Sequence, residues 1–135
     1  MNFLSGIHAT SGALNAEQVR MDIVAQNIAN AYTTKDTNGT PYQRKMVAFE
    51  TVMGGVQNAE RGVRVSSIKN DQSLGEAVYN PGHPHADGNG MVRMPNVQLA
   101  AEMVDLMSAS RAYEANLTVA RNARSIATKA LSIGK

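Results

Sequence analysis

A chain of 135 residues fits one domain of about 100–150 residues, or a small domain with long extensions, and leaves no room for a multidomain enzyme. Hydrophobic residues make up 43% but aromatics only 4%, with no Trp, so the apolar content is mostly Ala, Val, Met, Ile and Leu, which suits helix seams better than an aromatic core. The absence of Cys excludes a disulfide framework, a thiolate metal site and a Cys nucleophile, and 13 Lys plus Arg against 11 Asp plus Glu give no strong overall field for nucleic acid.

The N-terminus lacks the basic stretch and apolar run of a secretory signal peptide, and no run of about 18 apolar residues predicts a membrane span. From Ile7 the apolar residues Ile7, Leu14, Met21 and Ile28 recur every seven positions, with Val24 and Ala25 in the second seam position. This spacing predicts a helix over Gly6–Ala31, roughly 40 Å long, with a narrow apolar stripe. Gly12 and Thr10-Ser11 weaken its first turns, and Asn15 with Gln18 could cap a shorter helix starting there.

The middle, residues 32–95, holds all four Pro, with turn signals at Asn38-Gly39-Thr40-Pro41 and Asn80-Pro81-Gly82. Lys45–Met53 and Gly62–Ile68 are Val-rich and read as strands, and Glu76–Tyr79 is a third candidate. Three short strands make a small sheet with marginal independent stability.

From Asn96 to Ile133 no Pro interrupts the chain, which predicts one helix of about 55 Å with Asn96 as its N-cap. Glu102 and Asp105 near its start, with Arg124, Lys129 and Lys135 near its end, suit the helix dipole. Leu99, Met103, Leu106, Tyr113, Leu117, Ala120, Ala127 and Leu131 follow the four-then-three spacing of a seam. A second set, Ala112, Ala115, Val119, Ala123, Ile126, Ala130 and Ile133, follows the same rule on a neighbouring face. One partner helix covers one seam. Since burying apolar side chains stabilises by about 0.8 kcal/mol per CH₂, the uncovered stripe favours association with copies or relatives of the chain. The two terminal helices, each marginal in isolation, are expected to be largely unfolded or frayed before assembly.

Ser11-Gly12-Ala13-Leu14-Asn15-Ala16, Arg20-Met21-Asp22 and Asn27-Ile28-Ala29-Asn30-Ala31-Tyr32-Thr33-Thr34 resemble the N-terminal signature of bacterial flagellar rod and hook proteins. The run from Glu102 to Asn116 resembles their C-terminal signature. With Pro81-Gly82-His83-Pro84 and Val92-Arg93-Met94-Pro95-Asn96-Val97, the resemblance points to the proximal rod subunits of the FlgC type. It covers almost the whole chain. His85, where an acidic residue is expected, and Met91, where an aromatic is common, depart from the pattern in the middle loop.

The resemblance implies a non-enzymatic structural subunit with no cofactor, mainly α with a small β subdomain. Residues 1–31 and 96–135 would form a coiled-coil-like layer around the export channel, and residues 32–95 would pack outside. It also implies a rod crossing the periplasm and carrying motor torque, and export by the flagellar type III apparatus without a cleaved signal peptide or direct membrane insertion. The implied partners are the other proximal rod subunits, the rod-base adaptor and the next rod segment. The expected assembly contacts are Ile7, Leu14, Met21, Val24, Asn27, Ile28, Asn30, Leu99, Met103, Leu106, Arg111, Tyr113, Leu117, Val119, Ile126 and Leu131.

Polar residues allow competing readings. Asn27 and Asn30, three apart, could fix register between subunits as buried amides or end the first helix in solvent. His83, His85 and Asp87 invite zinc, but the motif lacks further ligands and sits among Gly82, Gly88 and Gly90. Ser66-Ser67-Ile68-Lys69 matches S-x-x-K without its partner motifs. Arg111 and Glu114, three apart, could pair within the helix or make an inter-subunit contact, and Arg20 and Asp22 could be solvated or could pair across subunits. The alternative function, a basic helical nucleic-acid-binding protein using Arg111, Arg121, Arg124, Lys129 and Lys135, lacks a dense basic face and stacking aromatics. A small hydrolase lacks an assembled catalytic set.

Overall fold

Two long helices carry the chain. The computed structural model describes residues 3–53 and 62–133, ordered as helix α1 (Phe3–Ala29), strands β1 (Lys45–Val52), β2 (Gly62–Asn70), β3 (Ala77–Tyr79) and β4 (Met91–Arg93), and helix α2 (Leu99–Ile133). The architecture is mainly helical with a small β part, as the periodicity predicts. The side chain of Ile133, and Lys135, lie outside the described residues. Among the described residues no helix is long and apolar enough to cross a membrane.

Helix α1 runs unbroken through Ser11-Gly12 and Asn15, so the shorter capped helix does not form. The helices lie antiparallel, since Asn27 meets Glu102 while Arg20, two turns earlier, meets Asp105 further along α2. Strands β1 and β2 pair antiparallel from Lys45↔Asn70 to Val52↔Gly62, with a bulge that shifts the register between Ala48 and Phe49. This hairpin packs on α1. Gly12 makes the approach possible: a Cβ there would stand 2.8 Å from the Val63 carbonyl oxygen.

The sequence predicts three strands in one sheet; the chain instead forms two separate two-stranded sheets. The third candidate strand, β3, finds its partner in β4, where Val78 faces Val92. The second correction concerns Asn96, which is no N-cap. Helix α2 begins three residues later, and the Asn96 side chain accepts from the Arg44 N–H at 2.7 Å and donates to the carbonyls of Asp71 and Ser73. An amide with both a donor and an acceptor joins separate loop strands, a task for which an N-cap carboxylate would lack the N–H.

Among the described residues the buried apolar ones are few and mostly small: Ala16, Ile23, Val24, Ala31, Tyr42, Val92 and Ala109. The stripe Ile7, Leu14, Met21, Ile28 is therefore not the core face of α1. Ile7 is exposed and the other three are half-buried, whereas Ala16, Ile23, Val24 and Asn27 are closed off. Helix α1 is gripped by α2 and by the hairpin at once, and small side chains let both neighbours come close.

Candidate assembly interface and the polar junction beneath it

The end of α1, the start of β1 and the start of α2 converge on two fully buried polar side chains, Asn27 and Glu102. Asn27 Nδ2 donates to the Lys45 carbonyl at 2.9 Å and to Glu102 Oε2 at 3.0 Å. Its Oδ1 accepts from the Lys45 N–H and from the Tyr42 hydroxyl, both at 2.9 Å. Both donors and both lone pairs of the amide are thus used. The half-buried Arg44 guanidinium donates through Nε to Glu102 Oε1, giving the buried carboxylate its ion-pair partner. Buried polar groups satisfied to this degree hold a single geometry, because any slip leaves a donor or acceptor orphaned at about 1–3 kcal/mol.

Burial pushes the Tyr42 phenol up from its ordinary value, and the Glu102 carboxylate and then Asp36 add to the rise. Asp71, close to the Asn96 bridge, is held below the usual carboxylate range by hydrogen bonds from the Ser73 N–H and hydroxyl. Further along the helix pair, Arg20 bonds Asp105 across the interface and lies 3.5 Å from Glu17 on its own helix. Arg20 therefore is not left free in solvent but pairs with Asp105 and Glu17 of its own chain. Among the described residues no ion pair joins Arg111 to Glu114, and both are exposed.

The two asparagines differ. Asn27 is sealed in and its partners are intrachain, whereas Asn30 is half-buried, bonded to the Gln26 carbonyl and the Thr33 hydroxyl, where it closes the turn after α1. Neither takes the left-handed conformation, since only glycines have positive φ among the described residues. Spacing and composition give Tyr42 and Arg44 no role, give Asn96 only that of an N-cap and give Glu102 only a favourable place near the start of α2. Glu102 stands four and seven residues before Leu106 and Ala109, a spacing that places it on their face but gives a carboxylate no reason to be buried until its partners are known.

That placement rotates α2. Its inward face runs through Glu102, Leu106, Ala109, Tyr113, Asn116, Ala120, Ala123 and Ala127, all buried or half-buried, and Leu117 is half-buried on the flank. Leu99, Met103 and Leu131, which the spacing groups with this seam, are 36%, 54% and 76% exposed. Val104, Met107, Ala115, Val119 and Ile126 also face outward, and so does Arg111. Intrachain packing thus covers one stripe of α2 and leaves a second, apolar one in solvent.

His83, His85 and Asp87 do not converge. Asp87 Oδ1 accepts the N–H groups of Asn89 and Met91, His83 Nδ1 accepts the His85 N–H, and His85 Nδ1 meets the Thr34 hydroxyl at 2.8 Å. Among the described residues no group of three His, Cys, Asp or Glu could hold a metal.

Two family models match the helical parts. The flagella basal body rod protein family covers residues 7–35, and the flagellar basal body rod FlgEFG protein C-terminal family covers residues 89–133. Both matches place the paired terminal segments in the class of flagellar rod proteins. Over its full length the chain is 41% identical to the flagellar basal-body rod protein FlgC of Bacillus subtilis and 40% identical to that of Salmonella typhimurium, each covered completely. It is 38% identical to that of Borreliella burgdorferi over 98% of both chains. The chain belongs to the FlgC family of flagellar basal-body rod proteins, the structural subunits of the rod.

Proposed function

We propose that the chain polymerises through its terminal helices into the proximal rod, the shaft that transmits motor torque across the periplasm and encloses the export channel. The observation that supports this reading most is the uncovered apolar stripe of α2, from Val104 through Val119 to Ile126. Such a stripe on a long helix favours a second helix as its cover. Residues 1–31 and 96–135 form the shaft layer, and residues 32–95 sit outside it and set contacts along the shaft.

The role is mechanical and not enzymatic. Torque transfer needs stiffness, and interdigitated side chains at near-crystalline density resist shear because they cannot slide without losing contacts. The junction of Asn27, Arg44 and Glu102 serves the same end by fixing how the outer segment is carried on the helices. The partners are the other proximal rod subunits, the rod-base adaptor and the next rod segment, with delivery by the flagellar type III export apparatus without a cleaved signal peptide.

Hydrogen exchange on the dilute full chain, alone and mixed with candidate rod subunits, tests the reading. Slowing of exchange along α1 and α2 on mixing, with residues 45–70 unchanged, is the expected result. Helices equally protected before and after mixing would overturn it.

A further inference from the structure

On the outer segment, an open cleft of about 400 Å³ lies between the turn of residues 34–41 and the loop and strand of residues 84–93. Two cations, Lys35 and Arg93, line it, and neither forms an ion pair among the described residues. Arg93 spends one donor on the Gly75 carbonyl at 3.2 Å, which leaves four of its five N–H groups for a ligand. Gly39, at φ +78°, turns the chain sharply, and the Lys35 Cε lies 3.9 Å from where a Gly39 Cβ would be. The lysine is folded over its own turn, at the cleft wall.

One carboxylate, Asp87, also lines the cleft, but among the described residues no carboxylate forms an ion pair with Lys35 or Arg93, so the lining keeps an excess of positive charge. Asp87 Oδ1 is held by two backbone N–H groups and Asp36 Oδ1 by the Thr37 N–H and hydroxyl. The Thr34 hydroxyl and the His85 imidazole are joined to each other on the same wall. Pro41 and Met91 supply apolar wall between the polar groups. A volume of this size exceeds what one small anion fills and lies in the range of about 300–1,000 Å³ typical of ligand clefts.

We propose that this cleft is a docking site for an acidic peptide segment of a partner protein, with Lys35 and Arg93 gripping a carboxylate side chain and the apolar wall receiving its stem. Arg93 suits this task because a guanidinium meets a carboxylate through two parallel hydrogen bonds. No residue of α2 lines the cleft, and its occupancy does not depend on whether the helices polymerise.

The test is a titration of the full-length, isotope-labelled chain with hexaglutamate, followed by amide chemical shifts at about 0.15 M ionic strength. Saturable shifts confined to residues 34–41 and 84–93 are expected, with none for hexaglutamine. The K35Q/R93Q variant should bind about tenfold more weakly, and K35R/R93K should recover part of the loss. Shifts that do not saturate, that centre on Arg121 and Arg124 of α2, or that inorganic phosphate reproduces at equal concentration would overturn the proposal. The comparison of hexaglutamate with hexaglutamine decides the matter on the unaltered chain even if the variants fold poorly.

Discussion

The two ends of the helix pair are built on different principles. Where α1 ends and α2 begins, the contacts are made by Asn27, Tyr42, Arg44, Asn96 and Glu102, each tied to a partner distant in sequence. Toward the other end the half-buried side of α2 carries Ala120, Ala123 and Ala127, while Val119, Ile126 and Leu131 stay exposed. Hydrogen bonds are directional and fail when displaced, whereas small apolar side chains accept several neighbours at similar energy. The polar end fixes the geometry of one subunit; the alanine-rich end is suited to packing that other chains complete.

The sharpest way to break this contrast is at Glu102. Glu102→Leu leaves an Asn27 N–H without a partner in a closed site and the half-buried Arg44 guanidinium without its carboxylate, and the expected loss is about 2–4 kcal/mol of unfolding free energy. Urea unfolding of the full chain measures it. A loss below about 1 kcal/mol would mean that the junction does not set the helix pairing.

Next in size is Gly12→Val. Its first added carbon would stand 2.8 Å from the Val63 carbonyl oxygen, so the hairpin must move off α1, at a cost of about 1–3 kcal/mol. Hydrogen exchange should rise in β2 more than in α2. Uniform acceleration over both would show that the hairpin and the helix pair open as one unit.

The fold was legible where a pattern repeats and obscure where one residue decides. Seven-residue spacing from Ile7 to Ile28, and thirty-odd residues without Pro after Asn96, are enough to place both helices. The rotation of α2 was not legible, because apolarity favours Met103 in the seam whereas hydrogen bonding to Asn27 places Glu102 there. Spacing alone gives a charged residue no reason to turn inward until its partners, Arg44 and Asn27, are known to be adjacent. Strand β4 was hidden for a similar reason. Its three residues, Met91–Arg93, have too short a pattern to be read without β3 beside them. Asn27 could be singled out from its motif, but its partners could not, since Lys45 is reached through the fold.

A smaller effect is expected for Tyr42→Phe, which removes one donor to Asn27 Oδ1 while the Lys45 N–H continues to serve it. The cost should be about 1 kcal/mol near neutral pH. Alkali sharpens the test. Because the phenol of the folded chain titrates above its ordinary value, the folded state holds that proton more tightly than the unfolded one. Stability from this source is complete below about pH 10 and declines as pH rises through the folded value. The difference between wild type and Tyr42→Phe should therefore shrink above about pH 10, read as converging urea midpoints. A constant difference across that range would show that the phenol gains nothing from its closed site.

The smallest effect on folding belongs to the opposite end of the helix pair, and there the two measurements should part company. Val119 is 55% exposed and Ile126 58%, so Val119→Asp and Ile126→Asp touch no closed site in the subunit. Each should change the unfolding free energy by no more than about 0.5 kcal/mol. Assembly should respond in the reverse sense, because a carboxylate carried into a helix–helix contact is desolvated without a partner, at a cost of several kcal/mol per contact. Co-sedimentation with the other rod subunits should fall sharply for both variants while Glu102→Leu, destabilised but unaltered on its outer stripe, retains assembly wherever enough folded chain remains. Loss of folding and loss of assembly in equal measure at Val119 would show that the stripe belongs to the subunit's own core, and the division between a polar end that fixes and an apolar end that joins would have to be abandoned.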